Sequence, residues 1–143
     1  ADHLRDKVHR CGDNSYWSNH GGVPALEKEI AKCQSLCCWC HRLKSGQERG
    51  TQKEKSKVKR QAIINAEKLR RGKCLRCPRR VTLETCCAFD FDHRDASTKV
   101  IDVSQLVLKS KAFFDEHIDS ELKACDMLCC SCHKKVTIAR RKR

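Results

Sequence analysis

Four cysteines in two closely spaced pairs are the residues of this chain best suited to holding a metal ion. Cys74 and Cys77 form one CxxC pair, and Cys129 and Cys132 form the other, far along the chain. A CxxC turn presents two thiolates at the angle that tetrahedral zinc requires, and two such turns close the site completely. The spacing therefore predicts a structural zinc ion. Two disulfides, or free thiols, are the alternative for the same residues.

A second group of residues has the chemistry that phosphodiester hydrolysis needs. Asp92 and His93 end an alternating apolar and polar segment, and His133 directly follows the last cysteine of the second pair. An imidazole with an ordinary pKa near ~6.5 suits a general base, and a carboxylate with a second imidazole can hold Mg²⁺ or Mn²⁺. We therefore predict His93 as the base, and Asp92 and His133 as cation ligands. Taken singly, each has a plainer interpretation, such as a turn cap or a buried or surface histidine.

The chain repeats this pattern. Residues 26–45 (LEKEIAKCQSLCCWCHRLKS) align without gaps on residues 118–137 (IDSELKACDMLCCSCHKKVT), and both contain the run CCxCH. A DH pair precedes each copy at a similar separation. Since chance is a poor account of such a match in rare residue types, we predict a partial second copy of the module. Its candidate site consists of Asp2, His3 and His41.

The first copy has a less complete set of metal ligands. Cys37 and Cys40 are the clear pair, Cys11 is a candidate third ligand, and His9 or His20 is a candidate fourth. The alternatives are that this copy holds no zinc, or that residues outside the given sequence supply its other pair. The remaining cysteines are interpreted as small buried side chains, or as substitutes for a ligand: Cys33, Cys38, Cys86, Cys87, Cys125 and Cys130.

Three segments must position these residues: a partial module at 1–45, a linker and basic helix at 46–73, and a zinc module at 74–143. The linker proper is expected at 46–53. Residues 54–71 place apolar side chains near one face, which predicts a helix, and Gly72 is its expected C-cap.

Within the zinc module, the pattern predicts a strand over residues 81–92. A second strand leading into a short helix is expected over 98–108, and a helix over 113–126. A last helix starts at about His133 and carries a basic tail. Each zinc-binding turn then fixes one side of the site, the first beside the hairpin with Asp92, the second at the start of the last helix.

Charge and composition indicate a partner. The 143 residues carry 31 Lys and Arg against 18 Asp and Glu, a net charge of +13, so attraction to nucleic acid is expected. With 13 cysteines and only 5% aromatic residues, a small core needs a metal staple. The expected DNA-binding residues flank the two zinc turns: Arg76, Arg79, Arg80, Lys134, Lys135, Arg140 and Arg141.

No apolar signal segment or membrane span is visible, so an intracellular location is expected. The run FDFDH of residues 89–93 and the run LCCSCH of residues 128–133, with CLRC before them, resemble the HNH (His-Me finger, ββα-metal) endonuclease family. The similarity is greatest to its zinc-containing phage and junction-resolving members, and it extends over about residues 55–140. It implies a small zinc-stapled α+β module.

The resemblance implies a metal-dependent DNA endonuclease in which His93 is the base and Asp92 and His133 bind the catalytic cation. The middle Asn of the HNH motif has no clear match in the second copy, where Asp95 and Asp102 are the nearest substitutes. Double-stranded DNA is the expected substrate, cut by two modules or by a homodimer. The alternative is a non-catalytic zinc module that binds nucleic acid within a larger nucleoprotein assembly.

Overall fold

The computed structural model describes residues 2–3, 11, 13–48 and 55–142. Over these residues the protein is a small mixed helix-and-sheet structure, with two separate two-stranded antiparallel sheets. The chain divides into two compact units, Ala1–His41 and Arg42–Arg143. The domain boundaries expected at residues 45 and 73 stay predictions.

The first unit contains strand β1 (Asp2–His3), helix α1 (Asn14–Asn19), helix α2 (Gly22–Ile30), strand β2 (Cys33–Gln34) and the start of helix α3 (Cys38–Glu48). Asp13 caps α1, because its side chain accepts a hydrogen bond from the backbone N–H of Tyr16 at 3.1 Å. Trp17 of α1 is buried, and α1 packs against α2. Residues 46–48 of the expected linker are helical, and 49–54 lie outside the described residues.

The second unit begins with the remainder of α3 and with helix α4 (Lys55–Arg71), which confirms the helix predicted over 54–71. Gly72 ends α4 with φ +74°, the left-handed conformation that glycine adopts without steric cost, and its N–H bonds to the Lys68 carbonyl. Arg71 then donates to the carbonyls of Leu122 (2.6 Å) and Cys125 (2.7 Å). These bonds fix the end of α4 against the region that carries the second cysteine pair.

The hairpin of this unit pairs strand β3 (Phe89–His93) with strand β4 (Cys125–Cys129), and helix α7 (Cys130–Arg141) follows directly. The strand predicted over 81–92 is therefore confirmed only at its end, since residues 83–88 form turns and a 3₁₀ helix. The last helix begins three residues before the predicted His133. The unit thus contains two antiparallel strands, β3 and β4, followed directly by helix α7, and residues 94–124 are inserted in the chain between the two strands.

The inserted segment holds helix α5 (Val103–Leu106) and helix α6 (Lys111–Ala124). The prediction of a strand within 98–108 is wrong, because Val103, Leu106 and Val107 are buried at helical spacing. The short helix predicted there is confirmed. The helix predicted over 113–126 is confirmed to residue 124, and its last two residues instead begin β4.

A hydrophobic cluster between α4, α5, α6 and the hairpin forms the core of the second unit. Its buried members are Ile64, Val103, Leu106, Val107, Phe114, Ile118, Leu122 and Cys125, with Phe91 of β3 packed against them. One face of the hairpin is therefore committed to the core. The face with Asp90 and Asp92 is left to pack against α7.

The two units share one strand register. His3 pairs with Cys33 in the first sheet, as His93 pairs with Cys125 in the second. These are the partners that the sequence alignment of the copies matches. The helices that follow begin at equivalent residues, Cys38 in α3 and Cys130 in α7. The repeat seen in the sequence therefore has a structural counterpart in the described residues.

Candidate metal centre and active site

The four cysteines predicted to bind zinc meet in one place. The sulfur atoms of Cys74, Cys77, Cys129 and Cys132 all lie within 4.8 Å of one another. Cys77 Sγ is 3.7 Å from Cys129 Sγ, close to the ~3.8 Å that separates two sulfurs of a tetrahedral zinc with bonds of about 2.3 Å. The cluster could therefore hold a metal ion such as zinc.

Backbone hydrogen bonds bring the two cysteine pairs together. Cys74 N–H donates to the Arg79 carbonyl at 2.9 Å and closes the first turn. Leu75 N–H donates to the Met127 carbonyl at 3.0 Å, which ties this turn to β4. Cys129 N–H donates to Cys74 Sγ at 3.2 Å. The second pair then lies where β4 passes into α7, so a metal here would join the α4 end, the hairpin and the last helix.

The thiols have unequal acidities. Burial works against ionisation of Cys129, but hydrogen bonds from the Cys132 backbone N–H and from the Arg79 guanidinium lower its pKa to about 6. Burial and the neighbouring thiols raise the pKa of Cys132 to about 12. Without a cation, the cluster thus favours one thiolate and resists a second, because like charges would crowd. A dication removes that penalty and releases the remaining protons.

Two carboxylates of β3 meet the histidine of α7. His133 Nδ1 lies 2.9 Å from Asp90 Oδ2, and His133 Nε2 lies 3.6 Å from Asp92 Oδ1. If Asp90 accepts the Nδ1 proton, the Nε2 lone pair is left facing Asp92. Carboxylate–histidine–metal triads have this arrangement. Two neighbouring ligands of an octahedral Mg²⁺ are about 3 Å apart, so Asp92 and His133 fit as a pair of cation ligands.

Their hydrogen bond shifts the pKa of both partners in the dyad of Asp90 and His133. Burial opposes ionisation of Asp90, but hydrogen bonds from His133 and Arg42 hold its pKa below the usual range. The hydrogen bond to Asp90 raises the pKa of His133. Arg42 of α3 forms an ion pair with Asp90 Oδ1. Both members of the dyad line an open groove of about 980 Å³, so the dyad is accessible to a ligand.

Arg140 of α7 contacts the other carboxylate. Its Nη1 donates to Asp92 Oδ1 at 2.8 Å, and its Nη2 donates to the His93 carbonyl at 3.0 Å. Asp92 is nearly buried, whereas half of the Arg140 side chain is exposed. Each carboxylate of the cluster is therefore neutralised by its own arginine.

His93 lies on the other face of the hairpin. Successive residues of a strand point to opposite faces, and His93 Nε2 bonds to Glu121 Oε2 of α6 at 2.6 Å. Both side chains are buried, with 6% and 3% of their surface exposed. The structure thus brings Asp92 and His133 together and does not bring His93 to them. The general-base role of His93 stays a prediction.

The residues proposed to replace the missing Asn have other partners. Asp95 Oδ1 accepts hydrogen bonds from the N–H and hydroxyl of Ser97. Asp102 lies before α5 and pairs with Lys99 at 2.7 Å. These contacts account for both carboxylates locally, as turn and helix-start residues.

In the first copy, two sulfur–sulfur contacts involve four of the five described cysteines. Cys11 Sγ lies 3.7 Å from Cys33 Sγ, and Cys37 Sγ lies 3.4 Å from Cys40 Sγ. Cys11 thus has Cys33 as its sulfur neighbour, a residue that the sequence interpretation treated as a small packing side chain. A second zinc at Cys37, Cys40 and Cys11 stays a prediction. So does the candidate site of Asp2, His3 and His41, since the side chains of Asp2 and His3 lie outside the described residues.

The residues expected to contact DNA are all exposed: Arg76, Arg79, Arg80, Lys134, Lys135, Arg140 and Arg141. Two of them also have partners in the site, since Arg79 Nη1 donates to Cys129 Sγ at 3.4 Å and Arg140 contacts Asp92. The others present their charges to solvent beside the cysteine cluster and along α7.

Sequence reasoning missed three residues of the site. Asp90 carried a signal, because it precedes Asp92 by two residues in a predicted strand and must share its face. Glu121 carried another, because it aligns with Glu29 in the repeat, and both are buried. Arg42 carried none, since its contact with Asp90 joins residues distant in the chain.

No protein-family model, curated protein or solved structure matches this chain. Among the described helices, none has the length and apolar character needed to cross a bilayer.

Proposed function

We propose that the second copy is an HNH-type (ββα-metal) nuclease module that hydrolyses phosphodiester bonds of DNA with one divalent cation. The observation that carries the proposal is the triad of Asp90, His133 and Asp92 beside the cysteine cluster. Asp92 and His133 supply the oxygen and imidazole nitrogen ligands that suit Mg²⁺ or Mn²⁺, and the 3.6 Å between Asp92 Oδ1 and His133 Nε2 fits two ligands of one ion.

The fold supports the same proposal. Two antiparallel strands lead directly into a helix, and the cysteine cluster lies at the junction of β4 and α7. A structural zinc there would hold the start of α7 and thereby the direction of His133, the next residue after Cys132. The proposal therefore assigns two different metal sites. The four thiolates bind a structural zinc ion, and the carboxylate and imidazole of Asp92 and His133 bind the catalytic cation.

Each residue has a stated role in the proposed reaction. Asp92 and His133 bind the cation, and Asp90 orients the imidazole of His133 by accepting its Nδ1 proton. When bound, the cation lowers the pKa of a water ligand and stabilises charge developing on the phosphate. His93 is the proposed base, and this role requires the backbone at the end of β3 to change conformation, because a paired strand points His93 and Asp92 to opposite faces.

The basic surface supports nucleic acid as the substrate. A net charge of +13 and exposed arginines and lysines around the site favour binding of a polyanion. Cleavage of both DNA strands needs two sites, supplied by a homodimer or by the first copy.

A second candidate function is a zinc-stabilised module that binds nucleic acid without cleaving it, as part of a larger assembly. The burial of His93 against Glu121 favours this candidate, because it removes the expected base from the other three residues.

Plasmid nicking distinguishes the two functions. Zinc-loaded protein is incubated with supercoiled DNA and Mg²⁺ or Mn²⁺, beside Asp92→Asn and His133→Ala. The matched controls are Asp119→Asn, which removes an exposed carboxylate of α6, and His117→Ala on the same helix. Nicking that both site variants abolish and both controls retain supports the nuclease. DNA binding without nicking by any of the proteins supports the second candidate and rejects the first.

A further inference from the structure

Arg140 occupies the carboxylate oxygen that the proposed cation needs. Its Nη1 lies 2.8 Å from Asp92 Oδ1, and the same oxygen lies 3.6 Å from His133 Nε2. A guanidinium keeps its proton at any ordinary pH. A dication between Asp92 and His133 would therefore face an adjacent positive charge that cannot be removed by deprotonation.

The position of Arg140 allows it to leave. It belongs to the last turn of α7, and 49% of its side chain is exposed, whereas Asp92 is 10% exposed. The carboxylate is thus held in the structure while its partner is a long, half-solvated side chain. Once released, a guanidinium has the planar pair of donors that binds phosphate through two hydrogen bonds.

We propose that Arg140 exchanges partners, so that it neutralises Asp92 when no divalent cation is bound and binds a backbone phosphate of DNA when one is. The inference rests on the proposed cation site of Asp92 and His133. Its consequence is that cation and DNA binding strengthen one another through this arginine. Because such coupling is reciprocal, it can be measured from either ligand.

The first experiment measures binding of Mn²⁺ alone to zinc-loaded protein by electron paramagnetic resonance. Removal of the competing charge in Arg140→Ala should lower the Kd for Mn²⁺ about three- to fivefold, as expected for a half-exposed ion pair. Arg141→Ala, one residue further along α7, is the matched control and should leave the Kd unchanged. An unchanged or weaker affinity in Arg140→Ala overturns the exchange, because the arginine would then be neutral or would support the site.

The second experiment measures binding of a DNA duplex by fluorescence anisotropy, with and without Ca²⁺ in place of Mg²⁺. Ca²⁺ should tighten binding by the wild type about fivefold, and Arg140→Ala should retain only the part of this gain that comes from direct attraction between Ca²⁺ and phosphate. Arg141→Ala should weaken binding by the same factor in both conditions. An equal Ca²⁺ effect in the wild type and Arg140→Ala rejects the inference.

The two proposals fail in different ways. If neither the wild type nor Arg140→Ala binds Mn²⁺, the cation site itself is refuted, and the exchange with it. If both bind Mn²⁺ with equal affinity, the cation site stands and only the exchange is refuted.

Discussion

The buried pair of His93 and Glu121 gives the sharpest test of how the hairpin is held. Replacing Glu121 with alanine leaves the His93 ring without its 2.6 Å partner in a site with almost no solvent access. It also leaves the Val100 N–H without the Glu121 Oε1 acceptor at 3.3 Å. Both losses occur between α6, β3 and the loop before α5, so the inserted segment should loosen from the hairpin.

The size of the effect follows from burial. Leaving a buried polar group without its hydrogen-bond partner costs about 1–3 kcal/mol. Glu121→Ala leaves two such groups, the His93 ring and the Val100 N–H, so it should lower the free energy of unfolding by roughly 4 kcal/mol. Glu121→Gln keeps the shape and one acceptor and should cost about 1–2 kcal/mol. Since either truncation already breaks the pair, the double variant with His93→Ala should lose at least about 2 kcal/mol less than the sum of the single losses.

Urea unfolding of zinc-loaded protein, followed by circular dichroism, measures these losses. The matched control is Glu116→Ala, which removes a carboxylate of the same helix with 71% of its side chain exposed. It should change the free energy of unfolding by less than about 0.5 kcal/mol.

Additive losses for His93 and Glu121, within about 0.5 kcal/mol, would refute the reasoning. The result also bears on the proposed base. A strongly coupled pair means that loss of nicking in His93→Ala reports stability as well as chemistry, and Glu121→Gln then becomes the cleaner variant, because it perturbs the position of the ring with a smaller loss of stability.

Two further perturbations probe the staple and the packing of α3. Cys77→Ser should abolish zinc binding and unfold the second unit, because a structural zinc contributes about 10–16 kcal/mol to folding. Zinc content and circular dichroism measure these two losses. Cys87→Ser, at an exposed cysteine, is the control that should retain both the zinc and the fold. Gly46→Ala would place a Cβ 2.6 Å from Cys87 Sγ. The strain of overpacking, about 1–3 kcal/mol, should outweigh a gain of about 1 kcal/mol in helix propensity and lower the melting temperature. In a Cys87→Gly background the same substitution should instead be stabilising; destabilisation there would contradict a clash with Cys87.

Local signals in the sequence were sufficient for several features. The helix of α4 follows from its apolar periodicity, and its end follows from Gly72, whose positive φ favours glycine. The meeting of the two cysteine pairs was predicted from CxxC spacing, because few other arrangements suit four thiols so placed. The repeat was visible in the alignment and reappears as a shared strand register.

The partner strand of the hairpin was not predictable in the same way. Residues 125–129 read CDMLC, a short run after a long helix, and only pairing with β3 makes them a strand. The segment 98–108 has better strand composition, yet its apolar residues pack at helical spacing into the core. Strand formation depends on a partner strand and a buried face as much as on residue propensity. Neither of these can be read from the residues of the strand itself.

What the sequence by itself determined is which residues carry chemistry: four thiols in two turns, the DH pair before each repeat, and a histidine after the last cysteine. Only the tertiary structure decided which of them share a face. Alternation along β3 points His93 and Asp92 to opposite faces of the hairpin. On one face α6 supplies Glu121 as the partner of His93. On the other face α7 supplies His133 and Arg140 as the partners of Asp92. These partners come from distant segments, so their convergence is a property of the packed chain.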